Sequence, residues 1–262
     1  MTEAVQIFSP GAFPTTLEAI IRASFPASML ILADMEPPLA SLTTLFVHQS
    51  TTPPSVGALF SGFEIPCLAL VGDGPTGLED IWQSAQEWAE TGATTVLYES
   101  QLVPPSLRGR QKSTDTWMAA ELLPSISIDS VKDVEPISDT GELLAFYKIC
   151  GMSYWTPEML RFGHYWGIRK RRDLVAVAGV DFILAEPSYA QLANVATHPD
   201  HRRMGLATTC IQACLASLSQ AGVSRCGLFV EATNVIAIRL YERLGLRITG
   251  YFDFYFPAVN GK

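Results

Sequence analysis

The hydrophobic and polar positions of the chain alternate between strand-like and helix-like patterns, most regularly in its second half. Apolar runs rich in β-branched residues predict strands, whereas apolar positions that recur every three or four residues predict helices. In the second half these patterns predict strands over residues 165–169, 174–184, 189–197, 227–231 and 247–256. They predict helices over 139–150, from 206 to the breaker at Gly222, and over 234–245.

The first half also predicts a mixed arrangement of strands and a helix. Strand-like runs occupy residues 30–33, 44–48, 56–63, 67–71 and 95–98, and prolines punctuate the loops between them. Residues 78–90 predict an amphipathic helix, with Ile81, Trp82, Ala85 and Trp88 on one side. Residues 99–133 would then cross between the halves. We therefore expect two α/β (α+β) domains, 1–125 and 126–262.

Composition places the chain among ordinary globular proteins. Its 262 residues suffice for two domains, and 48% of them are apolar, so a sizeable core is expected. The start of the sequence has no signal-peptide pattern, and no apolar run reaches the length of a membrane span. The expectation is a cytoplasmic protein with no membrane partner.

Charge is distributed unevenly along the chain. Up to residue 107 there is one basic residue, Arg22, against eleven acidic residues, whereas the remainder has seventeen basic and fifteen acidic residues. The overall charge of −8 disfavours a nucleic-acid partner. A ligand that carries phosphate groups needs basic partners, which only the second half supplies.

The five cysteines do not form a recognisable disulfide or metal-binding pattern. Cys210 and Cys214 lie four residues apart in a predicted helix, so they share one face. Because no second pair of ligands accompanies them, we expect two small residues that face the core and no metal site.

The segment 194–208 carries the strongest chemical signal. A strand ends near Thr197, a polar turn follows, and a helix begins after Gly205. The first N–H groups of a helix have no partner inside it, and the helix dipole adds partial positive charge there. Small residues at Gly205 and Ala207 leave room for an anion to reach these groups. The segment therefore predicts a phosphate-binding turn.

The turn does not fit the two common phosphate loops. The segment after Gly205 has no Lys as a Walker loop requires, and it has no third glycine as a dinucleotide fingerprint requires. The segment instead resembles the pyrophosphate motif of the GNAT acetyltransferase superfamily, Gln/Arg-x-x-Gly-x-Gly/Ala, at Arg202, Gly205 and Ala207.

A second motif about thirty residues later strengthens the resemblance. The superfamily follows its next strand with Asn-x-x-Ala-x-x-x-Tyr-x-x-x-Gly, and Asn234, Ala237, Tyr241 and Gly245 have that spacing. Asn suits a helix N-cap and Gly a left-handed helix stop. The resemblance covers residues 134–256 and implies a mixed, mostly antiparallel sheet flanked by helices.

The first half is similar to the superfamily only in the order of its elements. Its strand–helix junction at residues 72–77 contains glycines but no Arg or Lys, and Pro75 stands where an N–H is needed. A plain connecting loop is therefore expected there. We interpret this half as a degenerate copy, in a tandem arrangement like that of proteins resembling glycine N-acyltransferases.

The resemblance implies that acetyl-CoA is the cosubstrate and that no metal takes part. The implied coenzyme-binding residues are Val195, Ala196, Thr197, Arg202, Arg203, Met204, Gly205, Leu206, Ala207, Thr208, Asn234 and Ala237. The N–H of Val195 would stabilise the oxyanion, and Tyr241 would protonate the leaving thiolate. For Asn234, contact with the coenzyme and a capping role remain equal alternatives.

The general base and the acceptor are not identified by the sequence. Gln191 and Asn194 occupy strand positions where some relatives carry a carboxylate, and Glu231 and His198 are expected to be structural. The predicted activity is N-acetylation of a primary amine, either a small molecule or a peptide, by direct attack on the thioester. The alternative is a non-catalytic acyl-CoA-binding sensor or scaffold. The N-terminal half and residues 152–162 would shape the acceptor pocket, and the protein would be a monomer or a homodimer.

Overall fold

A computed structural model describes residues 4–62, 65–88, 94–121, 127–152 and 155–256. The strands in these ranges are β1 Val5–Phe8, β2 Thr43–His48, β3 Ser55–Phe60, β4 Cys67–Val71, β5 Thr95–Glu99, β6 Lys112–Ala120, β7 Glu135–Pro136, β8 Trp166–Lys170, β9 Asp173–Leu184, β10 Tyr189–Thr197, β11 Arg225–Glu231 and β12 Arg247–Tyr255. The helices are α1 Thr15–Ala23, α2 Met29–Met35, α3 Pro75–Trp88, α4 Thr140–Cys150, α5 Leu206–Gln220 and α6 Val235–Arg243.

The chain divides into two compact units. The first comprises the residues up to Thr116 together with those from Gly250 onwards, and the second is Trp117–Thr249. The strands β6 and β12 each contribute residues to both units. The expected boundary between residues 125 and 126 lies outside the described residues.

The second unit is built on a mostly antiparallel sheet, which confirms the predicted fold class. Its strands follow the order β11-β10-β9-β8-β7, and only the pair β10–β11 is parallel. A parallel pair requires a crossover connection, which α5 supplies.

The helix α5 covers one face of this sheet. Its residues Cys210, Ile211 and Cys214 are fully buried and pack with strand residues such as Val180 and Leu192. The two cysteines therefore face the core, as the sequence predicted. Removing such apolar surface from water is the main stabilising contribution to the unit.

The opposite face of the sheet is covered by α4 and by the segment that follows it. Asp139 caps α4 by accepting a hydrogen bond from the N–H of Glu142 at 2.7 Å, and Gly151 ends the helix in a left-handed conformation. The predicted helix over 139–150 is therefore confirmed. On its inner side Tyr147 packs with Trp155 and other aromatic residues.

In the first unit the strands follow the order β1-β2-β3-β4-β5-β12. The parallel pair β4–β5 is joined by α3, and the other pairs are antiparallel. Ile81, Trp82 and Ala85 of α3 are buried, whereas Trp88 is 48% exposed. Phe63 of the predicted strand 56–63 and residues 89–90 of the predicted helix lie outside the described residues.

The predicted strand over residues 30–33 is wrong, because this segment belongs to the helix α2. A short apolar run has the same pattern in a buried helix and in a buried strand. Here Met, Leu and Ala favour the helix, and four of its seven residues are buried. The helix predicted to begin at residue 78 begins three residues earlier, and β6 lies in the range expected to cross between the halves.

All five cysteines are free thiols, and burial raises the pKa of each one. Cys210, Cys214 and Cys226 are buried, and Cys67 and Cys150 are partly buried. The pKa of Cys67, Cys210 and Cys226 rises to about 12. The pKa values of Cys150 and Cys214 are also raised.

Within the described ranges, no helix is both long and apolar enough to cross a bilayer.

Candidate functional site

The turn between β10 and α5 presents a row of backbone N–H groups. A short 3₁₀ turn at Pro199–His201 is followed by Arg203 and Gly205 in left-handed conformations, with φ of 65° and 77°. Among the described residues, no acceptor pairs with the N–H groups from Arg203 to Thr208. These groups stand at the positive end of a fifteen-residue helix, so the turn suits an anion.

Gly205 lies next to open space. A Cβ placed at Gly205 would meet no other atom within 4 Å. Because φ is positive, a side chain there would also strain the backbone. The residues from Arg202 to Gly205 are exposed, and the Arg202 Nε donates to the carbonyl of Thr197 at 3.4 Å. The predicted phosphate-turn residues are therefore contiguous and accessible.

The strand β10 separates from β11 before it reaches the turn. The parallel pairing covers Tyr189, Ala190 and Gln191 and then stops, although both strands continue. The backbone of residues 192–197 therefore has no partner on the β11 side of the described sheet. Residues 195–197, expected to bind an extended ligand, all lie in this separated part.

A β-bulge in β10 falls at the centre of the separated part. The ladder pairs Ala193 with Gly179 and Ala196 with Val177, so Asn194 and Val195 together face a single residue of β9. Asn194 has a φ of 56°, which redirects the backbone at this point. The bulge takes the N–H of Val195 out of the regular ladder.

Buried aromatic side chains hold the bulge in place. The Tyr147 hydroxyl donates to the Asn194 carbonyl at 2.8 Å. The Asn194 amide donates to the Tyr165 hydroxyl at 2.8 Å, and the Trp155 indole donates to the same hydroxyl at 3.1 Å. Burial raises the pKa of Tyr165, so this hydroxyl stays protonated. The Asn194 Oδ1 is buried without a partner in the described structure.

The second motif forms a capped helix beside α5. The Asn234 Oδ1 accepts from the N–H of Ala237 at 3.2 Å, so Asn234 caps α6. The chain leaves the helix through Gly245, whose φ is 96°. Tyr241 is 8% exposed and belongs to the same core cluster as α5, against which Val195 also packs.

Four polar residues weighed as candidate bases have other contacts. Gln191 is 3% exposed and accepts from the Tyr189 hydroxyl. The Glu231 carboxylate accepts from the hydroxyl of Thr233 at 2.8 Å, and the His198 ring accepts from a backbone N–H in its own turn at 3.2 Å. Each of these side chains has a local structural contact, and Asn194 stabilises the bulge.

The strand β9 contains a second bulge, which the sequence did not reveal. Phe182 pairs with Gln191 and Val180 pairs with Leu192, so Asp181 is the extra residue between them. Its side chain is partly buried. Burial raises the pKa of this carboxyl to about 6. The only hint in the sequence is a lone acidic residue inside an apolar strand.

A groove of about 500 Å³ lies against α4 and the segment after it. Its lining includes Leu144, Tyr147, Lys148, Gly151, Met152 and Trp155. Tyr147 and Trp155 connect this groove to the bulge of β10 through the hydrogen bonds described above. Residues 153–154 of the segment expected to shape an acceptor pocket lie outside the described residues.

Comparison with known families assigns this arrangement. Residues 136–246 match the model of the Acetyltransferase (GNAT) family. They form a GNAT acetyltransferase domain. The match contains the phosphate turn and the whole second motif, and it places the domain among acyltransferases.

Curated relatives of the GNAT domain are similar to a short part of this chain. The [ribosomal protein bS18]-alanine N-acetyltransferase of Escherichia coli K12 is 36% identical over 73 residues, which is 28% of this chain. That of Salmonella typhimurium is 36% identical over 72 residues. The chain spans about half the length of these relatives, 49% in each case.

Solved structures share the fold over more of the chain. A GNAT-family structure from Novosphingobium aromaticivorans has a TM-score of 0.59 at 24% identity, over 76% of this chain and 86% of that one. A GCN5-related N-acetyltransferase from Sphaerobacter thermophilus has a TM-score of 0.62 at 15% identity, over 97% of this chain and 95% of that one. At such identities the likeness concerns the fold.

Proposed function

We propose that this protein is an N-acetyltransferase that transfers the acetyl group of acetyl-CoA to a primary amine. The observation that carries the proposal is the turn from Arg202 to Thr208, whose N–H groups from Arg203 onwards have no described acceptor and whose Gly205 lies next to open space. A pyrophosphate requires this combination of directed donors and free volume.

In this proposal the coenzyme is held by backbone groups along a continuous path. The N–H groups from Arg203 to Thr208 bind the pyrophosphate, and Arg202 adds positive charge. Residues 195–197 bind the pantetheine arm, since β10 has no partner on that side. Asn234 and Ala237 line the coenzyme from α6, and the capping contact between them is compatible with this role.

The acetyl transfer uses two groups of the GNAT domain. The N–H of Val195, displaced from the ladder by the bulge, donates to the thioester carbonyl as it becomes an oxyanion. Removal of one such donor typically costs about 3 kcal/mol of transition-state stabilisation. The amine nitrogen forms its bond to the carbonyl carbon, the C–S bond breaks, and the Tyr241 hydroxyl protonates the thiolate. The proton that the nitrogen loses as the amide forms returns Tyr241 to its neutral form through solvent.

The acceptor in this proposal is a small-molecule or peptide amine. The name of the curated relatives states that they act on an alanine of a ribosomal protein. An amine at the start of a peptide chain is therefore the first acceptor to examine. The groove beside α4 is a suitable place for it, because its aromatic wall contacts the bulge that positions Val195.

In this proposal the N-terminal unit does not bind the coenzyme. We assign residues 1–125 to a degenerate acetyltransferase-like domain and residues 126–262 to the active one, as the sequence pattern indicates. The similarity of fold over 97% of the chain to a GCN5-related N-acetyltransferase is compatible with this assignment.

The test is the release of CoA thiol from acetyl-CoA in the presence of an amine panel. The panel contains peptides with a free N-terminal alanine, lysine-containing peptides with a blocked N-terminus, and simple alkylamines. Thiol release that depends on the amine, with an acetylated product in mass spectra, supports the enzyme. Tight binding of acetyl-CoA without acetylation of any amine supports the sensor or scaffold alternative.

A further inference from the structure

Asp181 is a carboxylate that the bulge of β9 turns toward a specific face of the sheet. The residue before it, Val180, packs into the α5 core on the other face. Gly179, two positions earlier, faces Tyr165, because a Cβ there would lie 2.3 Å from that ring. Burial and, to a smaller extent, the charge of Asp181 raise the pKa of both Tyr165 and Tyr189. Asp181 therefore lies on the face that carries Tyr165 and Asn194.

The groups around Asp181 leave a single acidic centre on this face. The tyrosines are neutral, because burial raises the pKa of both hydroxyls. The exposed Arg161, in the segment before β8, is the cation that partly lowers the pKa of Asp181. Gln191, opposite the bulge, is an uncharged amide. A cationic amine that enters here meets one carboxylate and no other acid among these neighbours.

The spacing along the sheet fits a proton transfer beside the thioester. In the ladder between β9 and β10, Asp181 lies opposite the peptide bond that joins Gln191 to Leu192. Val195 lies three residues further along β10. At about 3.3 Å per residue this separation is roughly 10 Å along the strand. A nucleophile approaches a carbonyl carbon to about 3 Å, and a proton acceptor lies about 3 Å from the nitrogen. The interval therefore matches the length that the carbonyl and the amine would occupy along the strand.

We infer that the Asp181 carboxylate receives the ammonium group of the acceptor and removes its proton before the nitrogen attacks the thioester. The inference rests on the proposed function. The proton passes from the ammonium nitrogen to a carboxylate oxygen, and the free amine then forms the C–N bond. As the C–S bond breaks, Tyr241 protonates the thiolate and regains a proton through solvent from the nitrogen, which keeps one hydrogen in the amide, and Asp181 returns its proton to solvent. The balance is an ammonium and acetyl-CoA converted to an amide, free CoA and one proton.

The environment of Asp181 also sets the expected pH dependence. Burial raises its pKa to about 6, and the carboxylate is the active form of a base. The rate should therefore be at its maximum at pH values above the pKa of Asp181 and should fall as the pH drops through that pKa. A base with a pKa near the working pH also combines availability with strength, which is the usual optimum for proton transfer.

The test compares Asp181→Asn with the parent and with Asp173→Asn. Asp173 is an exposed acid at the start of the same strand, so its variant carries the same chemical change outside the site. Single-turnover rates are measured with ethylamine and with trifluoroethylamine, which is already deprotonated near neutral pH. With ethylamine, Asp181→Asn should lose about 100-fold or more in rate and lose the acidic limb of the pH profile. With trifluoroethylamine, the same variant should stay within about threefold of the parent, since no base is needed.

The outcomes separate this inference from the proposed function. If Asp181→Asn loses the same factor in rate with both amines, Asp181 has a structural role and the inference is overturned. The inference is also overturned if the variant keeps the acidic limb of the pH profile. Asp181→Glu should restore part of the rate with ethylamine. If this variant has the thermal stability of the parent but does not restore the rate, that result also counts against the inference. Calorimetric binding of acetyl-CoA is the separate readout. If the parent binds acetyl-CoA but Asp181→Asn keeps the pH profile of the parent, only this inference is overturned. If the parent does not bind acetyl-CoA, both this inference and the proposed function are overturned.

Discussion

Single backbone conformations decide the chemistry of the phosphate turn. Gly205 combines a φ of 77° with open space where a side chain would project, so the turn needs glycine for its conformation and for the approach of a ligand. Arg203 adopts a similar φ of 65° without being glycine. An unfavourable conformation of this kind persists where the surrounding structure imposes it.

Gly205→Glu should weaken acetyl-CoA binding by about 100-fold or more, which is about 2.7 kcal/mol. The new side chain would occupy the volume in front of the free N–H groups and would place a negative charge there. Isothermal calorimetry measures the change. Binding within about threefold of the parent would contradict the assigned turn.

Gly222→Glu is the matched control. Gly222 follows the other end of α5, has a φ of 82°, and also faces open space. Both variants should therefore lose similar stability through backbone strain, about 1–2 kcal/mol. Only the Gly205 variant should lose coenzyme affinity, so a common loss would point to unfolding.

Tyr241→Phe should lower kcat by roughly 10²- to 10⁴-fold while acetyl-CoA affinity changes little. The reason is that the hydroxyl proton is needed only as the thiolate departs. Presteady-state kinetics under conditions where chemistry is rate-limiting give the measurement. Tyr98→Phe, which removes a buried hydroxyl in the first unit, serves as the control. An unchanged kcat in the Tyr241 variant would leave this residue with a packing role alone.

At the scale of elements, the site depends on irregularities in β9 and β10. In the ladder between β9 and β10 each strand has one bulge, and two pairs, Val180 with Leu192 and Gly179 with Ala193, separate the two bulges. One bulge displaces Val195 and the other turns Asp181 toward the same region. Bulges are often found beside active sites because they re-aim side chains.

Tyr147→Phe should disturb the β10 bulge without touching the coenzyme. The variant leaves the Asn194 carbonyl without its 2.8 Å hydrogen bond, which typically costs about 1–3 kcal/mol of folding free energy. We expect a lower kcat and a shifted amide resonance for Val195, with acetyl-CoA affinity retained. Urea unfolding and nuclear magnetic resonance measure these effects. A destabilised variant with the parent kcat would show that this contact does not position the site.

The sequence predicted those elements of the site that depend on residues close together in the chain. The cap at Asn234, the stop at Gly245 and the turn at Gly205 depend on residues only a few positions apart. The bulges do not, since which residue becomes extra is set by the register between β9 and β10 and not by the residues on either side of it. Asp181 was missed for this reason. The helix α2 was missed because a seven-residue apolar segment carries no distinctive period.

At the scale of the molecule, the two units differ at their strand–helix junctions. The junction before α3 has glycines, but a Cβ at Gly72 or Gly77 would lie 2.3 or 2.7 Å from the Ser55 hydroxyl. These glycines allow close packing, whereas Gly205 leaves space for a ligand. Pro75, the first residue of α3, has no N–H to donate. The unit also has a single basic residue before position 108.

The chain should therefore bind one acetyl-CoA. Calorimetric titration should give a stoichiometry of one per chain for the parent, because the described turn from Arg203 to Thr208 combines unpaired N–H groups with basic neighbours. The Gly205→Glu variant should give no measurable saturation in the same range. A parent stoichiometry of two, or residual saturable binding in the variant, would show that the first unit also takes the coenzyme.

The raised pKa values of the five cysteines have a practical consequence for the laboratory. Thiol reagents react with thiolates, and groups with a pKa of about 12 are almost entirely protonated at pH 8. A chromogenic aromatic disulfide added to the reaction should therefore be consumed by newly formed CoA and only slowly by the protein. Turnover can then be followed continuously by absorbance, with native enzyme and with no cysteine substituted beforehand.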